Sequence, residues 1–194
     1  MLVDFILIGI LIGYLKRGNL TNLSRVHLSY WWLILVGFGV KFAGLYGGGP
    51  FAAWLNWVGM GLVFLGTVLN WRVPGMKLIS LGSLANLLVI FANQGKMPVY
   101  LPLADRLGLS SLVERLQSGA FPDYTPLSSF SRLVFLGDVL PYFSLIARQP
   151  FVISLGDYFI GFGVMVFILR GMTNPWVFET ASSAEERREA DGGL

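Results

Sequence analysis

Five apolar runs, at about residues 2–17, 30–46, 51–70, 77–93 and 151–170, constrain what this chain can fold into more than any other feature. A helix crosses a bilayer with about 20 mostly apolar residues, and roughly 17 is the lower limit. The first run is apolar only over 2–15, so it spans if Lys16 and Arg17 snorkel and the helix stands upright. Composition agrees, since 55% of the chain is hydrophobic and 13% is charged, against about 25% charged in soluble proteins. Mean hydropathy is +0.66. Of the 11 acidic residues, Glu179, Glu185, Glu186, Glu189 and Asp191 crowd the C-terminal end, so the spans are nearly free of carboxylates. An ordinary soluble domain is excluded. The expected fold is all-α, a polytopic membrane helix bundle of five transmembrane helices in one domain over 1–176. A polar tail at 177–194 is expected to be disordered and cytoplasmic.

Boundary residues support the runs. Pro50, Pro74, Pro98, Pro102, Pro150 and Pro175 fall just outside them, where a missing N–H is tolerated. Trp31, Trp32, Trp54, Trp57, Trp71 and Trp176 lie at or near run ends, as an interfacial aromatic belt requires, with plain packing as the other reading. Lys16, Arg17 and Arg25 follow the first run, and Arg72 and Lys77 lie between the third and fourth, while 47–50 carries no charge. The positive-inside bias therefore predicts cytoplasmic first and third connections, with Met1 and the 94–150 connection outside. Because Asp4 precedes the first apolar run and the basic residues follow it, that run reads as an uncleaved helix and not as a signal peptide.

The chain has no cysteine and one histidine, His27, which reads as a solvated loop residue; thiol chemistry and most metal-site and Ser-His-Asp schemes are excluded. No catalytic residue, metal or cofactor is expected. The net charge of +3 and pI near 9.3 come from dispersed basic residues at run ends, which suit anionic headgroups better than nucleic acid. Expected partners are membrane lipids, with a membrane-protein partner or a second copy of the chain also open.

The 94–150 connection is expected to be helical. Ser111 and Glu114 have capping-box spacing, and Leu109, Leu112, Val113 and Leu116 share one helical face, which predicts an amphipathic surface helix. The stretch 127–147 is apolar but interrupted by Arg132, Asp138 and Pro141. It reads as a half-inserted or surface helix, with a sixth span as the alternative.

Ionisable groups at membrane depth are costly, so each is a candidate functional residue. On the topology above, Asp4, Lys41, Asn56, Asn93, Lys96 and Asp157 converge on the outer level, joined by Asp138 and Arg148 from the connection. Lys41 is expected to meet Asp4, Asp138 or Asp157, and Lys96 or Arg148 a remaining aspartate, because a charge near hydrocarbon offsets its cost by pairing. Each residue has a plainer reading. Asp4 suits a helix N-terminus, Lys41 can snorkel, and Ser154 with Asp157 has capping-box spacing; Asp138 could cap a short helix in the same manner. Asn86 reads as an interhelical hydrogen-bonding group, and Gly9 with Gly13 has the spacing of close helix contact. The two Gly-Asp steps invite comparison with intramembrane aspartyl proteases, whose two aspartates share a proton, but Phe135 and Ser154 stand where a Gly-x-Gly-Asp motif would be sought.

Four segments, 17–23, 86–99, 136–141 and 154–157, together resemble a domain-of-unknown-function family of small bacterial integral membrane proteins, in the same order and over most of the chain to Arg170. The resemblance implies a multi-pass bacterial membrane protein in which Asn93, Gly95, Met97, Pro98, Asp138 and Asp157 are marked positions, and it implies no activity. Lys96 stands where the pattern often has arginine, which would weaken a bidentate anion contact. The expected function is a non-enzymatic component of the bacterial cytoplasmic membrane, either binding a lipid or small polar ligand at the outer leaflet or serving as an accessory subunit. A small transporter or channel is the alternative from another class.

Overall fold

The computed structural model describes residues 1–47 and 51–174, and the tail expected at 177–194 lies outside the described residues. Five apolar helices occupy the five runs: α1 (Leu2–Leu15), α2 (Trp31–Gly47), α3 (Ala52–Leu69), α4 (Met76–Ala92) and a last helix at Leu155–Thr173. Between α4 and the last helix lie β1 (Met97–Val99), α5 (Leu101–Arg106), α6 (Ser110–Gln117), β2 (Tyr124–Pro126), β3 (Leu140–Ser144) and β4 (Gln149–Ile153), so the last helix is α7. By length and composition α3 and α7 are long and apolar enough to cross a membrane, whereas α1, α2 and α4 are shorter apolar helices.

The helices pack as a row in which α2 lies on α3, α3 on α4, α4 on α7 and α7 on α1. Their contact faces mix small and polar side chains with apolar ones such as Met60, Val63, Val89 and Met172. In α1 the buried positions are Asp4, Phe5, Gly9 and Gly13, and in α4 they include Ser80, Gly82, Ser83 and Asn86. Large apolar residues such as Leu11, Leu35, Phe42, Trp54, Leu65, Leu81 and Phe91 point outward. Large apolar side chains facing outward depart from the amphipathic pattern of a water-soluble bundle, and the small buried residues let backbones approach closely. A Cβ on Gly59 would stand 2.6 Å from the Gly37 carbonyl oxygen, and one on Gly9 would stand 3.0 Å from the Met165 carbonyl oxygen. The pair Gly9 and Gly13 is therefore the surface on which α1 meets α7.

The chain is mostly helical, but the expectation of a wholly α-helical connection is corrected by two small sheets. β1 pairs with β2 in parallel, and β3 with β4 antiparallel. The stretch 127–147 forms neither a half-inserted helix nor a sixth span; it contains a short 3-10 turn at Val134–Leu136 and then strand β3. Burial along β3 alternates, with Pro141 and Phe143 exposed and Ser144 buried, which is the period of two of a strand. Pro141 is tolerated because a two-stranded sheet leaves one edge of each strand without a ladder partner. The amphipathic helix is present as α6, which buries Leu116, but its first turn carries no side-chain cap.

These elements form a cap over one end of the bundle, where α2 and α4 finish and α1, α3 and α7 begin. β1 packs on α4, and Asp4 at the start of α1 receives the Ser144 hydroxyl at 2.8 Å and the Ile146 N–H at 2.9 Å. Basic Lys16, Arg17 and Arg25 lie at the other end, where Asn19 N–H and Asn22 Nδ2 donate to the Met172 carbonyl.

Candidate functional site

The two Leu-Gly-Asp steps reach one place by different routes. Asp138 is held beside β1 by backbone bonds, its N–H donating to Pro98 O at 2.9 Å and its carbonyl accepting from Tyr100 N at 2.9 Å. Tyr124 is carried to the opposite edge of β1, in register with Met97. Gly137 permits the approach, because a Cβ there would stand 2.7 Å from the Pro98 carbonyl oxygen. Asp157 comes from the first turn of α7, where Ser154 and Asp157 form the capping box that their spacing predicts.

That capping box is also tied to α4. The Ser154 hydroxyl donates to Asn86 Oδ1 at 2.9 Å, and Asn86 Nδ2 donates to Asp157 Oδ1 at 2.9 Å. Asp157 Oδ2 accepts the Ser154 N–H at 3.3 Å, and Asp157 N–H donates to Ser154 Oγ at 2.9 Å. Asn86 is thus the interhelical group expected of it, and Gly156 leaves it room, since a Cβ at Gly156 would collide with Asn86 Oδ1. The ring holds Asp157 in a single orientation.

Asp138, Asp157, Asn86 and Tyr124 line a small cavity of about 70 Å³, with Lys41 from α2, Asn56 from α3 and Asp123 completing the lining. Lys41, Asn56 and Asp123 also line an adjoining open cleft of about 390 Å³, whose outer wall includes Gln94 and Lys96. The Asn56 amide is oriented by donating to Gly95 O at 2.9 Å. Gly95 has φ +88°, a left-handed conformation that glycine adopts without strain.

Two residues that line the cavity each hold a buried oxygen without a hydrogen-bond partner. Among the described residues four buried side-chain polar atoms are unpartnered, and Asn56 Oδ1 and Asp138 Oδ1 are two of them. Asn56 is 6% and Asp138 7% exposed. A buried polar atom without a partner is costly, and native structures hold few of them. Burial pushes the Asp138 carboxyl well above its ordinary range, Asp157 adds to the rise, and Lys41 opposes it.

The expected outer cluster is therefore divided. Lys41, Asn56, Asp138 and Asp157 share the inner cavity, and Lys96 stands at the mouth. Asp4 instead anchors the β3–β4 hairpin and forms an ion pair with the Met1 ammonium at 3.3 Å. Asn93 pins a loop, donating to Arg132 O at 2.8 Å and accepting Arg132 N–H at 2.9 Å. Arg148, with φ +51°, is exposed in the hairpin turn. The direct pairing expected of Lys41 is corrected: among the described residues no carboxylate lies within 4.0 Å of it. Asp4 and Asp157 spend their oxygens on hydroxyl, amide and backbone donors, and Lys41 acts on Asp138 across the cavity. Asp138 could not be a helix cap, since it follows a 3-10 turn and bridges to Val99. The sequence does not mark Asp123 and Tyr124, whose only signal is their place between Pro122 and Pro126 in a turn-rich stretch.

Similar proteins place the chain without assigning it an activity. An uncharacterized protein of Thermotoga maritima is 28% identical over 169 residues, covering 87% of this chain and 90% of the relative. No solved structure matches. A family model matches residues 25–169, a stretch that holds the whole cavity wall, and the chain belongs to that family, the family of unknown function DUF5317.

Proposed function

We propose that this chain is a multi-pass protein of the bacterial cytoplasmic membrane that binds a small polar ligand in the cavity beneath its cap. The observation that carries the reading is that two residues lining one small polar cavity, Asn56 and Asp138, each hold a buried side-chain oxygen without a hydrogen-bond partner, next to a larger cleft that shares part of the same lining. The membrane reading rests on the five apolar helices, whose large apolar side chains face outward while glycine, serine and asparagine are frequent among the buried positions. It has five spans, Met1 outside and the C-terminal end inside, because Lys16, Arg17, Arg25, Arg72 and Lys77 lie at the two short connections away from the cap while the short connection at 47–50 carries no charge. Reporters fused at each end test the topology; finding both on one side would refute five spans.

Binding is tested by purifying the chain in mild detergent and comparing it with Asp138→Asn by native mass spectrometry. A bound species retained by the parent and lost by the variant is the expected result. A parent chain that carries nothing, and matches the variant when challenged with polar metabolites and lipids, would refute it.

An aspartyl dyad is less well supported, since both Asp157 oxygens are engaged by Asn86 and Ser154 while Asp138 Oδ1 has no partner, so no proton is shared between the two. A transport route is weakened by the other half of the bundle, where Asn70 and Thr67 spend their bonds on the carbonyls of Ser29, Gly66 and Phe64.

A further inference from the structure

The cavity and its cleft carry opposite charge. Asp138 and Asp157 face the inner end, whereas Lys96 stands on the open cleft, and Lys41 and Asp123 form the junction between the two. The inner end is lined by residues short of donors, because Asn56 and Asp138 each hold a buried oxygen without a partner. The cleft offers ammonium donors. Lys41 is half-buried and Lys96 exposed, and neither has a carboxylate within 4.0 Å among the described residues, so both can meet an anion.

Resting on the polar-ligand reading, we infer that the ligand is a zwitterion with a primary ammonium group on a short arm, seated between Asp138, Asp157 and Asn56, and an anionic group such as a phosphate held at the mouth by Lys41 and Lys96. Each half follows from chemistry on the wall. An ammonium group brings up to three donors to oxygens that lack them and carries the charge that the inner carboxylates attract. A volume of about 70 Å³ holds on the order of five water-sized groups, enough for an ammonium on a two-carbon arm but not for a large headgroup. The phosphate then lies in the cleft, where there is room for whatever it is esterified to. A neutral inner ligand would bring no charge to match the inner carboxylates, and a purely anionic one would be repelled there. This chemistry is common to the headgroup of an aminated phospholipid and to a free amino-alcohol phosphate.

The test is calorimetric titration of the purified chain in detergent with O-phosphoethanolamine, ethanolamine and glycerol phosphate at low salt. O-phosphoethanolamine should bind about tenfold more tightly than either half-probe. Lys96→Gln, at an exposed position that does not threaten folding, should remove most of its advantage over ethanolamine. Asp138→Asn should remove most of its advantage over glycerol phosphate. Nanodiscs separate the sources: a lipid ligand makes phosphatidylethanolamine discs block the free probe where phosphatidylglycerol discs do not, and a free ligand gives equal titrations in both. Ethanolamine or glycerol phosphate binding as tightly as the zwitterion, or no binding of any probe, would overturn the inference. Should the parent chain nonetheless retain a species of other chemistry that Asp138→Asn releases, the polar-ligand reading stands and only the zwitterion falls.

Discussion

Replacing Asn86 with leucine probes the ring that fixes Asp157. Asn86 is 6% exposed, and leucine keeps its branched outline but is larger, so some overpacking adds to the loss of hydrogen bonds. The variant removes a bond from Asn86 Nδ2 to a carboxylate and a bond from the Ser154 hydroxyl, both 2.9 Å long. In a water-soluble protein the charged bond would contribute about 1.5–3 kcal/mol and the neutral one about 1 kcal/mol. Between membrane helices such bonds average nearer 0.6 kcal/mol, because the separated helices find other partners. Ser154 is fully buried and Asp157 only half-buried, so the hydroxyl is stranded while the carboxylate regains some solvent. Weighing these, Asn86→Leu should cost about 2 kcal/mol, which for a chain of this length lowers the midpoint of thermal unfolding in detergent by roughly 4–8 °C. Ser154→Ala supplies the second arm of a double-mutant cycle, in which the two residues should couple by about 0.5–1.5 kcal/mol. A change within about 0.5 kcal/mol for Asn86→Leu, or strict additivity with Ser154→Ala, would refute the ring.

Asp4→Asn weakens the two hydrogen bonds that tie the β3–β4 turn to α1 and should cost about 1–3 kcal/mol, read as faster proteolysis at 145–148 with the cavity's ligand binding little changed. Gly137→Ala places a methyl group 2.7 Å from the Pro98 carbonyl oxygen, so the Asp138 strand must shift; ligand binding should fall by about tenfold or more, and unchanged binding would show that this approach is not required. Stability should fall as pH rises from the ordinary carboxyl value of 3.8, since the unfolded chain gives up the Asp138 proton first while the folded chain keeps it. Lys41 from α2, Asp157 from α7, and Asp123 and Tyr124 beside β1 face the same cavity, so Asp138→Asn isolates its part by flattening that slope, and a slope equal to the parent's would refute it. Affinity for an ammonium-bearing probe should run the other way, rising with pH, because binding favours the ionised carboxylate.

What the amino-acid order determined by itself was whatever depends on near neighbours. Five apolar helices were legible because run length and lack of charge are local properties, and the observed helices fall within or close to the predicted runs. The Ser154–Asp157 capping box was legible because it spans three residues, and Gly9 with Gly13 because it follows one helical face. The stretch 127–147 was misread because its apolar content suited a buried helix, and only pairing with 149–153 selects the strand. Tertiary structure alone decided which polar groups meet. Asp4 and Asp157 both begin helices at the same end of the bundle, yet Asp4 is taken up by Ser144 and Ile146 while Asp157 faces the cavity, because the hairpin folds over α1 and β1 lies over α4. Asp123 and Tyr124 reach the wall only through the parallel pairing of β2 with β1, a contact across 27 residues between Met97 and Tyr124. Charge can be counted in a sequence, but whether a carboxylate ends up with donors or without them depends on backbone groups brought from distant parts of the chain, and no local pattern records those.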